Sequence, residues 1–264
     1  MLATLVDDAY SIDLSPERST WEILRSTLRL YGVYPWLFLV LALAVMAPWD
    51  LAKLAITGYG PLGHVHNESF LERESLNLFE LLLVGPLISA LHVHAVVVIG
   101  EGRRPRLAAV AWSGVRVLPV VAAAAFVAGV SIEIGFLALL IPGIILWIRL
   151  SVVAQAAAVE RGSVRSAWQR SWRLSRHYEG HIFGLLVVVF VLPVSITVGG
   201  LMLTSGSGSS PGAVVAGILV NTTISSFTAL TTALLYFDLR ARELRPRPER
   251  IREYPHLPDL DPSA

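Results

Sequence analysis

Six apolar runs, each close to the length needed to cross a bilayer, dominate this chain, and all but two of its 21 basic residues fall on one side of them. Only Lys53 and Arg73 land on the other side. A helix spanning the ~30 Å hydrocarbon core needs about 20 apolar residues, and cytoplasmic loops are enriched in Lys and Arg. The asymmetry therefore predicts six crossings and orients them, with both the N- and C-termini cytoplasmic. Composition fits: 54% of residues are hydrophobic and 16% charged, against roughly 25% charged in soluble domains. The near absence of Lys beside twenty Arg reflects GC-rich coding, which points to a bacterial cytoplasmic membrane.

The expected fold class is all-α, a polytopic bundle of six transmembrane helices with interfacial amphipathic helices on the cytoplasmic side. The spans are Trp36–Thr57, Leu76–Ile99, Val117–Ile132, Phe136–Ala158, Ile182–Leu203 and Ala213–Phe237. Gly58–Ser75, a tight turn around Glu133 and Thr204–Gly212 connect them outside; Gly100–Arg116 and Glu160–His181 connect them inside. Residues 1–16 read as a flexible cytoplasmic tail, 17–243 as the membrane domain, and 244–264, rich in Pro and alternating charge, as a disordered tail. The first span carries Asp50 and Lys53 after Pro48. Their i, i+3 spacing predicts a neutralised pair, and the span either continues or stops near Pro48. Pro142-Gly143 is the expected local break in the fourth span.

Three basic, Trp-bearing stretches precede outward-going spans: Trp21 with Arg25 and Arg29; Trp112 with Arg116; Trp168 and Trp172 with Arg165, Arg170, Arg173 and Arg176. In the last, Val164, Ala167, Trp168, Ser171, Trp172 and Ser175 form one helical stripe. Such helices lie in the interface, with Trp at headgroup depth and Arg reaching toward phosphate. The pattern reads as three copies of an amphipathic helix plus a helical hairpin, or as membrane grammar repeated by convergence.

Within the apolar runs, Asn221, Ser225, Thr228 and Thr232 share one face of the last span. They either line a cavity or bond between helices, where Ser225, Ala229 and Ala233 also have small-residue packing spacing. Arg149 reads as an anchor whose guanidinium extends toward the inner surface, with ligand contact as the other role. Glu80 lies near the outer surface, solvated or paired. His92 and His94, two apart on a helix, diverge too far to share a metal. His64 and His66 belong to the opposite surface, so the two pairs form no four-ligand cluster. With no Cys, and no Walker A, H-E-x-x-H or G-x-S-x-G motif, neither a catalytic constellation nor a cofactor or metal site is expected.

Three segments carry a resemblance. They are Leu24-Arg-Ser-Thr-Leu-Arg-Leu-Tyr-Gly-Val-Tyr-Pro-Trp36, Glu160 followed by Ala167-Trp-Gln-Arg-Ser-Trp-Arg-Leu174, and Leu234-Leu-Tyr-Phe-Asp-Leu-Arg-Ala-Arg-Glu243. Together the pattern resembles the glycerophosphoryl diester phosphodiesterase membrane-domain family in its short stand-alone form. The catalytic part of those enzymes is a TIM barrel, which needs about 250 residues of its own. The resemblance therefore implies the membrane part alone, with no activity attached.

Two pairs among these residues have a structural role to play. Glu160 ends the fourth span where Arg170 can reach it, and Asp238 and Arg242 are i, i+4 at the inner end of the last span. Both would staple the cytoplasmic face together. The first functional reading is a non-catalytic scaffold or regulatory module that contacts anionic lipid headgroups or a membrane-protein partner, not nucleic acid, through Arg165, Arg173 and Arg176. The alternative is a transporter or lipid-handling protein that uses the polar stripe of the last span. An intramembrane enzyme is a third and weaker reading, since no acid–base or metal groups converge at one depth.

Overall fold

The chain is almost entirely helical in a computed structural model that describes residues 12–58, 75–76, 78–203 and 210–244. The helices are α1 (Thr20–Val33), α2 (Pro35–Thr57), α3 (Gly85–Gly100), α4 (Leu107–Ala138), α5 (Leu140–Leu150), α6 (Val153–Glu160), α7 (Val164–Ser175), α8 (Glu179–Leu203) and α9 (Pro211–Leu244). A π-helical turn, Glu80–Val84, leads into α3. That wider turn lets the chain pass Pro86, which lacks an N–H and would crowd the carbonyl four residues back in a regular helix.

Four helical stretches among the described residues are long and apolar enough to cross a membrane: Pro35–Thr57, Leu107–Ala138, Leu140–Glu160 and Pro211–Leu244. Gly85–Gly100 and Glu179–Val189 are apolar but shorter. The architecture is thus an all-α bundle with several long apolar helices, that of a multi-pass membrane protein, with four rather than six helices among the described residues meeting the length and hydropathy needed to span. Expected features in the His64/His66 loop, the Thr204–Gly212 connection and the C-terminal tail fall mainly or wholly outside the described residues, as does 1–11 of the N-terminal tail. From Ile12 onward that tail packs: Ile12 and Leu14 lie against the core, and the Leu14 side chain sits where a Cβ on Gly100 would be.

α9 is the central helix. It packs against α1, α2, α3, α6, α7 and α8, and from Ala229 to Leu239 nearly every side chain is buried. At about 1.5 Å per residue its length exceeds a hydrocarbon core. α1 begins at a capping box: Glu22 N–H donates to Ser19 Oγ at 3.3 Å, and Ser19 N–H and Oγ donate back to Glu22 Oε2 at 2.7 and 2.8 Å. The Ser19 backbone donor, then its hydroxyl, hold the Glu22 carboxyl below the usual carboxylate range. Ile23, Leu24, Thr27 and Leu30 face the bundle, leaving Trp21, Arg25, Leu28 and Arg29 exposed on the other face. Tyr34, which precedes Pro35, leaves helical geometry and separates α1 from α2.

Several expectations need correction. The first span is not among them: α2 runs through Pro48 without interruption, which decides for the continuous reading. The turn between the third and fourth spans is at extended Leu139 rather than Glu133, and α4 carries Glu133 and the buried Gly135 within it. Gly135 and Gly143 then let the hairpin close: a Cβ on Gly135 would come within 3.0 Å of Gly143 Cα, and one on Gly143 within 2.8 Å of Phe136 Cα. Pro142 sits in the first turn of α5, where its missing N–H costs nothing. The helix breaks instead at Ser151–Val152, and the Arg149 carbonyl freed nearby accepts from Ser171 Oγ at 2.8 Å and Ser175 Oγ at 3.3 Å. The threefold rhythm also fails in its middle copy. α1 and α7 are separate helices, whereas Trp112 and Arg116 belong to the first turns of long α4.

Candidate functional site

Polar groups gather at three levels along α9. At the end away from α1 and α7, Asp50, only 1% exposed, pairs with Lys53 at 3.0 Å and accepts from Asn221 Nδ2 at 3.1 Å. Lys53 also reaches Glu80 at 3.3 Å, and Trp49 Nε1 donates to the same carboxylate oxygen at 2.9 Å. The lone lysine of the chain thus sits between two carboxylates. Asn221, expected to head the polar stripe, is taken up by the Asp50 carboxylate.

At the opposite end, Asp238 is fully buried and gathers donors from three segments. Arg18 N–H lies at 2.5 Å, Arg242 Nε at 2.8 Å and His181 Nε2 at 3.1 Å. Arg242 continues to the Arg18 carbonyl at 2.6 Å and lies over the Tyr178 ring. Nearby, Arg170 bridges Glu160 and Glu243, both at 2.5 Å, and Glu160 accepts from Tyr236 at 3.1 Å. Of the proposed surface contacts, Arg165 and Arg176 are exposed, while Arg173 pairs with Glu243 at 2.9 Å. Arg149 pairs with Glu179 at 2.6 Å over the Trp172 ring, leaving its Nε and Nη1 buried without partners.

Both partners of the Glu160–Arg170 pair keep some solvent contact, so each is worth about 1 kcal/mol. Glu160→Gln and Arg170→Gln should each lower the melting temperature in detergent. Arg170→Gln should cost more, since Arg170 neutralises two carboxylates. Two unchanged melts would show that these pairs do not hold α7 in place.

Between the two polar ends lies a cavity of about 580 Å³, within the 300–1,000 Å³ range of ligand pockets. Its walls are mainly apolar, with Ile88, Ala125, Trp147, Leu186 and Ile224 among them. Ser225, Thr228 and Thr232 of the stripe line it, together with Glu80, Ser89 and Gln155; Asn221 and Arg149 do not. Gln155, 3% exposed, donates through Nε2 to Thr232 Oγ1 at 2.8 Å and to Ser89 Oγ at 3.1 Å. Its Oε1 is buried without a donor. The Gln155 signal was an amide alone in an otherwise apolar run, Val152–Val159.

The histidines do other work. His92 Nδ1 bonds the Ile88 carbonyl at 2.8 Å and Nε2 bonds Ser226 Oγ at 2.7 Å, while His94 bonds the Ala90 carbonyl. Among the described residues no group of His, Asp and Glu is placed to hold a metal ion. No protein-family model, curated protein or solved structure matches the chain.

Proposed function

We propose that this chain is a lipid-handling or transport protein of a bacterial cytoplasmic membrane, and that its ligand occupies the cavity beside α9. The observation that carries this reading is the cavity itself, apolar-walled and faced by the half-buried Ser225, Thr228 and Thr232. A purely scaffolding module gives no role to such a partly open cleft, in which hydroxyls and an amide stand among apolar walls. In this reading the chain crosses six times with both ends cytoplasmic. α3 with its preceding turn, and the whole of α8, would supply the two crossings beyond the four long apolar stretches. The placement of Arg relative to the long helices supports that orientation, with α1 and α7 lying in the inner interface. The basic residues of that surface would contact anionic headgroups. Membership of the glycerophosphoryl diester phosphodiesterase membrane-domain family is likewise a proposal, supported by the three motif segments. The reading assigns the chain no reaction of its own.

A fatty-acyl probe bearing a photoactivatable diazirine tests the main claim. Crosslinks should map to Ile224–Thr232 of α9 and Ala154–Gln155 of α6. Labelling confined to lipid-facing positions such as Leu137, Ile141, Val215 and Leu219, all exposed, would overturn it.

A further inference from the structure

We infer that the cavity selects a neutral single-chain amphiphile whose head donates hydrogen bonds, of the monoacylglycerol class, and that Gln155 supplies the acceptor that recognises it. The inference rests on the reading of the cavity as a ligand site and adds the chemistry of the ligand.

Thr232 Oγ1 donates its hydrogen to the carbonyl of Thr228 at 2.9 Å or Ala229 at 3.1 Å. With that hydrogen directed to the backbone, Thr232 Oγ1 accepts one amide N–H of Gln155 and Ser89 Oγ accepts the other. Oε1 is then left as a buried acceptor without a donor, a state that costs about 1–3 kcal/mol. The hydroxyls of Ser225 and Thr228, on the same wall, make no hydrogen bond among the described residues. Unmet capacity here therefore comprises the two hydroxyls on the wall and, just beneath its surface, the Gln155 acceptor, which a polyhydroxyl head can satisfy together once the amide turns toward it.

Charge excludes the commoner headgroups. Among the described residues no Lys, Arg or His lines the cavity, and Glu80 does. A phosphate or carboxylate placed there would meet a carboxylate and a carbonyl oxygen with no lining cation to offset its desolvation. Anionic lipids belong instead at the exposed Arg165 and Arg176. The volume suits one chain with a small head rather than a whole diacyl lipid.

Equilibrium binding to the full-length chain in detergent, with radiolabelled monoolein, tests this. Methyl oleate, which has a similar chain and no donor, and phosphatidylglycerol serve as comparison ligands. Monoolein should saturate near one site per chain. Thr228→Phe, and independently Ala125→Leu from the facing wall, should abolish that binding by filling the space. Gln155→Leu should weaken monoolein about tenfold, the value of one hydrogen bond to a buried acceptor, and leave methyl oleate unchanged. Should Gln155→Leu weaken both ligands equally or neither, or phosphatidylglycerol compete as well as monoolein, the headgroup inference falls while the cavity remains a lipid site. Should none of the three ligands show binding sensitive to either filling variant, the cavity reading falls as well.

Discussion

Asp238→Ala should cost about 3–5 kcal/mol, the penalty for stranding the partner of a buried ion pair. In a chain of this size that lowers the detergent melting temperature by on the order of 10 °C. The carboxylate has no solvent to share its charge with, and its donors come from places far apart in sequence. Arg18 belongs to the segment before α1, His181 to the first turn of α8 and Arg242 to the end of α9. Removing it leaves the Arg18 N–H without its acceptor and, among the described residues, Arg242 with Glu17, at 3.7 Å, as its remaining carboxylate partner. Asp238→Asn should also be severe, since the amide offers one acceptor where the carboxylate served three donors, and its NH2 opposes other donors. Arg25→Gln, on the exposed face of α1, is the control and should shift stability by no more than about 0.5 kcal/mol. Thermal unfolding followed by intrinsic Trp fluorescence gives all three values. An Asp238→Ala melt unchanged from the parent would mean the node is not what joins α1 and α8 to α9.

That node shows where a linear reading reaches its limit. Arg242 stands one turn from Asp238, so spacing alone places the two together. His181 and Arg18 are 57 and 220 residues away from Asp238, and nothing local marks them as its partners. The same divide holds at the other end of the bundle. Asp50 and Lys53 are legible as neighbours on one helix, whereas the capture of Lys53 by Glu80, and of Asn221 by Asp50, follows from how α2, α9 and the π-helical turn pack. Helix positions are legible because apolar length and breakers are local properties; the hairpin at Leu139 is not, because Glu133 looks like a turn residue and the apolar Phe136–Ile141 tip does not. The polar stripe was visible as a face of α9. Which of its members border a space depends on Ser89, Gln155 and the walls supplied by α3, α4 and α8. A periodicity argument records only that a face is polar, not what lies opposite.

Lys53→Met should be the other large effect, and its logic can be isolated by a second substitution. Methionine keeps the unbranched stem and loses the only cation between Asp50 and Glu80, so two carboxylates then face each other with Asp50 almost wholly enclosed. An uncompensated buried charge again carries a cost of about 3–5 kcal/mol. If charge is the cause, Asp50→Asn in the Lys53→Met background should recover a large part of the loss. Asn221 would then meet a neutral amide, and Glu80 would keep its bond from Trp49. If the lysine acts through packing alone, the two substitutions should add. The interaction term of the double-mutant cycle separates these cases, since residues sharing one ion-pair network give couplings of roughly 0.5–3 kcal/mol. Lys53→Arg should be tolerated better than Lys53→Met, although its planar fork does not reproduce the compact ammonium between the two oxygens. Because Glu80 also forms part of the cavity wall, the loss of Lys53 should reach the ligand site too. Even in the refolded double variant, the freed carboxylate would repel anionic amphiphiles more strongly and leave monoolein binding nearly unchanged.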